Sequence, residues 1–491
     1  MIHDELTYRI GSAFGLPPTL EQQQAMGCFA QFLSDRQERV VMVLRGSAGT
    51  GKTTLAGAIV RAMQTMRQKL VLLAPTGRAA KVFSLYAGTA AYTIHRRIYR
   101  QKSLEGGFEL GYNNAHDTLF IVDEASMVSL RGSDGRSVLD DLVSFVYMGR
   151  NCRLLLIGDH AQLPPVGEEE SPALMASVLR NYGLKVYEAT LNEVLRQSQE
   201  SGILYNATLI RAQGMGVYGN GLTLPKVRLQ GFADIQVVTG DELIEQLASS
   251  YSKVGQDETM VVTRSNKRAN IFNQGIRNQI LGREEELCSG DRLMIVKNNY
   301  YWIKDEAPAA KGAGQEVQAA TSRPQEEQAM SFIANGDMAV VRRVRHIHEL
   351  YGFRFADVTL SFPDYDDYEL TATVLLDTLR SEAPALTREQ QEQLYQRVLE
   401  DYADIRRKAD RMKALKEDAH YNALQVKYAY AATCHKAQGG QWAHIYVDQG
   451  YMADSMLNSD YLHWLYTAFT RATEHLFLIN WPKTQIEDVR E

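Results

Sequence analysis

Val40-Val-Met-Val-Leu-Arg-Gly46-Ser-Ala-Gly49-Thr-Gly51-Lys52-Thr53-Thr54 decides the fold. Val40 to Leu44 is an uninterrupted apolar run, the pattern of a strand buried on both faces, and Thr53 to Met66 reads as the helix that follows. A glycine-rich turn between such a strand and helix aims backbone N–H groups at an anion, and the helix N-terminus adds positive potential. Lys52 then reaches outer phosphates and the Thr53 hydroxyl suits Mg²⁺. Gly46, Ala48, Gly49, Thr50, Gly51, Lys52, Thr53 and Thr54 are the expected phosphate cradle.

The same rhythm continues outward. Leu70–Ala74, Thr118–Val122 and Leu154–Ile157 are further short apolar runs ending in loop residues. From about Val186 the alternation starts again, with Met260–Thr263, Leu293–Val296, His444–Val447 and Leu476–Ile479 as strand candidates. This predicts two α/β domains with parallel sheets and a cleft between them. Asp123 and Glu124 follow the second of these runs, where Asp123 can hold the metal of a bound nucleotide and Glu124 can orient or deprotonate water. Gly158-Asp-His-Ala-Gln162-Leu-Pro-Pro-Val-Gly167 follows the third and sets Gln162 at the end of a buried strand, where open α/β sheets bind ligands.

Two intervals break the rhythm. Arg97 to Asp117, with Gly106-Gly107 among polar and aromatic residues, has the size of an inserted hairpin. Residues 305–328 are rich in Ala, Gly and Gln with almost no large apolar side chain, and predict a mobile loop. Beyond them Met338–His348 and Phe353–Phe362 alternate at period two, as in a small antiparallel sheet or barrel, and Thr387–Gln425 reads as one long charged helix. The boundaries this implies are 1–185 for the first α/β domain with its hairpin at about 97–117, 186–300 plus 426–491 for the second, and 301–425 for an inserted β domain.

Bulk properties narrow the class. A chain of 491 residues with 45% hydrophobic content fills about three domains. No run of about 18 apolar residues and no N-terminal apolar leader is visible, which predicts a cytoplasmic protein with no membrane partner. Cys28, Cys152, Cys288 and Cys434 lack paired or metal-ligand spacing, so they read as reduced core or incidental thiols. A net charge of −6 argues against a surface coated in base, so any nucleic-acid contact must come from a local groove.

Further short motifs fall in order along the chain: Thr19-Leu-Glu-Gln22 ahead of the phosphate loop, then Ala74–Ala80, Thr93-Ile-His95, Leu195-Arg196-Gln197, Ala432–Gly439 and Ala468-Phe-Thr-Arg471-Ala472. With the phosphate loop, Asp123-Glu-Ala-Ser126 and the Gly158–Gly167 segment, the chain resembles the superfamily 1B helicases of the Pif/RecD/Dda group over most of its length. The resemblance implies two RecA-like P-loop domains, a small hairpin insertion acting as a wedge, and an SH3-like β accessory domain. It implies ATP and Mg²⁺ as cofactors, with Gln22 reading adenine, Gly439 beside the nucleotide, and Gln162, Arg196 and Arg471 at the γ-phosphate. Lys52, Glu124, Gln162, Arg196 and Arg471 are then the expected catalytic set, and arginines reaching across a cleft tie hydrolysis to its closure.

Single-stranded and forked DNA are the expected partners, with association with the nucleoid when on DNA and a monomer as the functional unit. Thr76, Arg78, His95, Thr263, Asn266, Asn299, Thr433, His435 and Lys436 follow strands of the α/β rhythm and carry groups suited to phosphate contact and stacking. Phe108 and Tyr112 are the wedge candidates, each equally readable as hairpin packing. The basic strip Arg342–His348 reads as a strand-exit path or as a solvated sheet face, and Glu168–Glu170 as a solvated loop. Polarity, expected from 5′ to 3′, rests on the resemblance alone. The readings left open are an ATP-dependent helicase of replication, recombination or repair, a single-strand translocase or nucleoprotein remodeller, and an ATP-gated DNA-binding subunit. RNA as the tracked strand fits the same motifs.

Overall fold

The computed structural model describes residues 2–101, 108–131, 137–194, 200–214, 223–303 and 333–487. Arg196, the segment 305–328 and the tip of the hairpin lie outside them. The described chain forms two compact units, one built from the segments up to Gly282 and from Tyr430 onward, the other from Arg283–Ala429.

Within the first unit lie two sheets. Strands β1 (Val40–Gly46), β2 (Lys69–Ala74), β3 (Ala91–Thr93), β6 (Thr118–Val122), β7 (Arg153–Gly158) and β8 (Lys185–Leu191) run in the order β3-β2-β6-β7-β1-β8, while β4 (Tyr99–Gln101) and β5 (Phe108–Leu110) form a separate antiparallel hairpin. Every pairing in the six-stranded sheet is parallel. Such a sheet must be covered on both faces, and the period-two pleat divides β1 accordingly. Val40, Met42 and Leu44 pack with helix Lys52–Thr65 and its neighbours, while Val41 and Val43 pack with helix Val138–Met148. Each fully buried aliphatic side chain here contributes roughly 1.5–3 kcal/mol relative to exposure.

The second sheet has the order β16-β10-β17-β18-β9, with β9 (Ile235–Val238), β10 (Thr259–Thr263), β16 (Ala431–Thr433), β17 (Trp442–Asp448) and β18 (Ala472–Ile479), again parallel throughout. Two α/β P-loop-type layers are thus present, as expected. The boundary near 186 is corrected: Lys185–Leu191 pairs with β1 as the outer strand of the first sheet. Its half-buried alternation looked like a new domain because an edge strand is covered less evenly than its neighbours.

In the second unit, β11 (Arg292–Ile295), β12 (Met338–Leu350), β13 (Phe353–Phe362), β14 (Tyr368–Leu375) and β15 (Leu424–Tyr428) close into a five-stranded barrel, the SH3-like accessory domain. The run at Leu293 therefore belongs to the barrel and not to an α/β sheet. The long charged helix is also corrected. Helix Arg388–Asp401 starts in a capping box between Thr387 and Gln390, and Lys408–Lys416 forms a separate helix. Arg411 Nη2 donates to the carbonyls of Ala403 and Ile405, which fixes the break between them. Glu168 is not simply solvated, since its Oε1 accepts from the N–H groups of Leu130 and Arg131 at 2.8 and 3.0 Å. All four cysteines are free thiols, with Cys152 and Cys434 buried. No described helix is long and apolar enough to cross a membrane.

Candidate nucleotide site

The phosphate loop takes its shape from two residues in the left-handed region, Gly49 at φ 77° and Gly51 at φ 76°, a conformation open to glycine at little steric cost. Thr50 turns inward, its hydroxyl donating to Ser47 O at 2.8 Å. Helix Lys52–Thr65 then begins with no side-chain cap at Gly51, so its first N–H groups remain available to an anion.

Around this loop lies a cavity of about 460 Å³. Ala48, Lys52, Thr53, Asp123, Glu124 and Gln162 reach it from the first sheet, and Gln441, Thr470 and Arg471 from the second. The first sheet presents the C-terminal ends of its strands here, the usual ligand edge of open parallel sheets, while the second brings the residues that lead into β17 and β18.

Asp123 follows β6 at the cavity floor. Its carboxylate accepts from the Tyr86 hydroxyl and from Glu124 N–H, the latter at 2.9 Å. Protein crowds this group although the cavity leaves part of it accessible. That desolvation, with the charge of Glu124 beside it, pushes the Asp123 carboxyl above its ordinary range, against Lys52 and the two donors. Glu124 adopts the left-handed conformation, φ 51° and ψ 37°. Its Oε2 is buried without a hydrogen-bond partner, as is Oε1 of Gln162.

These residues fit the groups expected of them. Hard oxygen donors at Thr53 and Asp123, with the unsatisfied Glu124 oxygen nearby, suit Mg²⁺, which prefers a few carboxylates together with water and phosphate oxygens. Among the described residues no three His, Cys, Asp or Glu side chains converge as a metal cage.

Arg471, only 2% exposed, is held by its own domain. Nε donates to Thr467 O at 3.1 Å, Nη1 to Gly440 O at 3.1 Å and Nη2 to Thr470 Oγ1 at 3.3 Å. Helix Ser459–Phe469, which precedes it, and Gln438 ahead of β17 are joined to the Gly158–Gly167 segment by several bonds. Leu163 N–H donates to Thr467 Oγ1 at 2.8 Å, Gln438 Nε2 to Leu163 O at 2.6 Å, and His463 Nδ1 to Ala161 O at 2.9 Å.

Other expected residues fall elsewhere. Gln22 is buried, its Oε1 accepting from Thr19 N–H and its Nε2 donating to Thr50 O, both at 3.0 Å. It braces the phosphate loop and caps its own helix, so its amide is already committed in this structure. Gly46, Thr50 and Thr54 belong to the loop and helix start without lining the cavity. Gly439 does not line it either: at φ 72° it packs so closely on the first α/β domain that an added Cβ would lie 3.0 Å from Thr76 Oγ1.

Among the DNA candidates, Thr76 caps helix Gly77–Ala87, and Arg78 stacks 4.3 Å over the Trp442 ring while donating to Gln441 O at 2.5 Å. Thr76, Arg78 and Gly439 thereby join the two α/β layers. Thr433 stands at the N-cap position of a short helix, without a side-chain cap bond, and the helix carries exposed His435 and half-buried Lys436. His95 is half-buried with its ring 5.4 Å from that of Tyr99, and Asn266 opens helix Asn266–Gly275. Thr263 is fully buried, its hydroxyl donating to Ser265 O at 3.0 Å, and Asn299 Nδ2 donates to Asn422 O at 2.7 Å within the barrel unit. Both are committed to internal bonds rather than presented to a strand. Tyr112 is 72% exposed beyond β5, and the Phe108 ring lies outside the described side chains.

Sequence reading missed Asp159, Arg211 and Tyr466. Tyr466 Oη accepts from Ala48 N–H at 2.9 Å and donates to Asp159 Oδ2 at 2.5 Å, while Arg211 Nη1 donates to Ser47 Oγ. Only the five-residue offset of Tyr466 from Arg471 hinted at a shared role.

A family model described as an AAA domain matches residues 19–217, and one described as a UvrD-like helicase C-terminal domain matches residues 428–479. The ATP-dependent RecD2 DNA helicase of Deinococcus radiodurans is 35% identical over 132 residues, covering 26% of this chain and 16% of that protein. The ATP-dependent DNA helicase dda of Enterobacteria phage T4 is 26% identical over 286 residues, covering 56% of this chain and 60% of that one. The chain thus spans less than two thirds of either curated relative. A crystal structure of Pif1 helicase from Bacteroides in complex with ADP-AlF3 and ssDNA is 17% identical, with TM-score 0.43 over 96% of this chain and 95% of that one. The two family models fall one on each α/β layer, and with the RecD2 and dda matches they support a superfamily 1B helicase like those of the Pif/RecD/Dda group.

Proposed function

We propose that this protein is an ATP-dependent DNA helicase that translocates on single-stranded DNA from 5′ to 3′ and unwinds duplexes ahead of it. The observation that carries the reading is one cavity in which a phosphate loop, an acidic pair and Gln162 from one α/β layer face Arg471 from the other. A site built from two layers can register nucleotide only by changing how those layers meet, which is the requirement for converting hydrolysis into strand movement.

In this reading Lys52 and the loop amides bind the phosphates, and Thr53 and Asp123 would hold Mg²⁺, which would supply charge to offset that developing on the phosphoryl oxygens. Glu124, with an unsatisfied oxygen, orients water and accepts its proton. Gln162 contacts the outer phosphate, Arg471 stabilises it from the second layer, and Arg196, outside the described residues, is a further arginine for the same phosphate. Thr76, Arg78, His95, Thr433, His435 and Lys436 supply the strand contacts, and the β4–β5 hairpin divides the duplex. The RecD2 and dda relatives are named as ATP-dependent DNA helicases, and the Pif1 structure is described with single-stranded DNA. Such a protein works on chromosomal or replicating DNA as a monomer.

The test is unwinding of matched 5′-tailed and 3′-tailed duplexes, with a blunt control, with and without ATP. Strand separation confined to the 5′-tailed substrate is expected. ATP hydrolysis on single strands without separation of either duplex would replace the helicase with a translocase or remodeller. Absence of strand-stimulated hydrolysis would leave an ATP-gated DNA-binding subunit.

A further inference from the structure

Ala48 N–H belongs to the half of the phosphate loop that precedes Gly49, and its acceptor here is the Tyr466 hydroxyl, supplied by the second α/β layer. The same hydroxyl donates to Asp159 Oδ2, whose other oxygen accepts from Ala161 N–H at 3.0 Å. Burial, with the charge of Asp159 next, holds the Tyr466 phenol well above its usual range, so it stays protonated and remains the donor to Asp159. Tyr466 is 2% exposed, Asp159 is 1% exposed, and Asp159 lines the cavity.

We propose that the Tyr466 hydroxyl is a positioning group that competes with a nucleotide phosphate oxygen for the Ala48 amide, so that phosphate binding and the Ala48–Tyr466–Asp159 chain exclude one another. This rests on the nucleotide-site reading above and adds to it a residue whose occupancy is the inverse of the nucleotide's. An N–H points one hydrogen at one strong acceptor, and a phenol oxygen placed 2.9 Å away fills that direction. A phosphate arriving in the loop must take that hydrogen. The hydroxyl must then leave or turn, and its bond to the start of the Gly158–Gly167 segment is disturbed as it does so. Because Tyr466 sits on helix Ser459–Phe469, immediately ahead of Arg471, the displaced group lies on the element that carries the arginine toward the phosphate. Thr467 and His463 bond that helix to Leu163 and Ala161, and Gln438 adds a further bond to Leu163, all without involving the phosphate loop. Tyr466 is therefore the point at which loop occupancy enters this bonded assembly.

The experiment is equilibrium binding of a fluorescent ADP analogue to the full chain without DNA, comparing wild type, Tyr466→Phe and Thr467→Val. Phe keeps the ring and removes only the competing oxygen. Tyr466→Phe is expected to bind about threefold to tenfold more tightly, the worth of one neutral hydrogen bond. Thr467→Val breaks the adjacent bond from Leu163 and leaves the Ala48 acceptor in place, so its affinity should match wild type. Unchanged or weaker binding by a folded Tyr466→Phe would overturn the competition. Equal tightening by Thr467→Val would also overturn it, by assigning the effect to a loosened helix. Should Tyr466→Phe fail to fold, Asp159→Asn reads the same chain from its other end. A weaker acceptor holds the phenol less firmly, so tighter binding is expected there, and no tightening would overturn the proposal. Wild type that binds no nucleotide would instead defeat the site reading itself.

Discussion

Arg471 Nη1 donates to the Gly440 carbonyl oxygen at 3.1 Å, and the other two nitrogens of the guanidinium bond to Thr467 and Thr470. All three acceptors are neutral oxygens, so the positive charge stands beside the cavity without being cancelled by them. Arg471→Ala should lower DNA-stimulated ATP hydrolysis about tenfold or more while ADP binding persists. Lys cannot hold three diverging bonds from a planar group, so Arg471→Lys should recover little. Near-normal turnover of the alanine variant in a steady-state assay would remove Arg471 from the chemistry.

Gln162 presents a buried carbonyl oxygen without a partner at the cavity wall, within the segment tied to the arginine-bearing helix. Gln162→Ala should retain ATP binding yet uncouple hydrolysis from strand movement. The measurement is the ratio of duplex separated to ATP consumed, and a wild-type ratio would show that the side chain transmits nothing.

The β4–β5 hairpin pairs Tyr99–Gln101 with Phe108–Leu110 and is separate from the main sheets. Opening a base pair costs only about 1.4 kcal/mol on average, so a wedge needs chiefly to block reannealing. Deleting residues 102–112 should abolish unwinding of a fork and spare single-strand-stimulated hydrolysis. Loss of both activities would show that the hairpin supports the fold rather than divides the duplex.

Asp337 offers a pH test in the barrel unit. Its oxygens accept from Ala334 N–H at 2.7 Å and from the Tyr365 hydroxyl at 3.0 Å, and burial, chiefly, pushes its carboxyl up to about 7. The folded chain therefore keeps a proton that the unfolded chain releases near 3.8, and stability declines as pH rises from there to about 7, then levels. Asp337→Asn keeps an uncharged amide in place and should remove that slope. In thermal unfolding of the full chain, the variant should gain on wild type through this window, by on the order of 1–4 kcal/mol at its upper end. Parallel curves would show that Asp337 does not carry the proton.

The sequence exposed what depends on local pattern. Fully buried parallel strands such as Leu119–Val122 announce themselves as apolar runs, and the phosphate loop is recognisable because glycine, Lys52 and Thr53 must follow one another on the chain. What stayed hidden depends on neighbours far along the chain. Tyr466 meets Ala48 across 418 residues, and apart from its offset from Arg471 no local pattern distinguishes its phenol from an ordinary helix-packing tyrosine. Gln22 hid a different partner: its position suggested an adenine contact, and the Thr50 carbonyl bonded to its amide is fixed only when the loop folds. The break between Arg388–Asp401 and Lys408–Lys416 was invisible because polar helices lack the apolar stripe that marks their ends.

Glu124 holds a left-handed backbone that an L-residue with a long side chain occupies at a cost of roughly 1–2 kcal/mol. Replacing it with Gly or Asn would relax that turn, and a screen for thermal stability would favour such a change. The most heat-resistant versions of this chain would then be those lacking the carboxylate proposed to activate water. Position 124 should accordingly be held fixed in any stabilisation of the protein, and a gain in melting temperature from changing it counts as a warning.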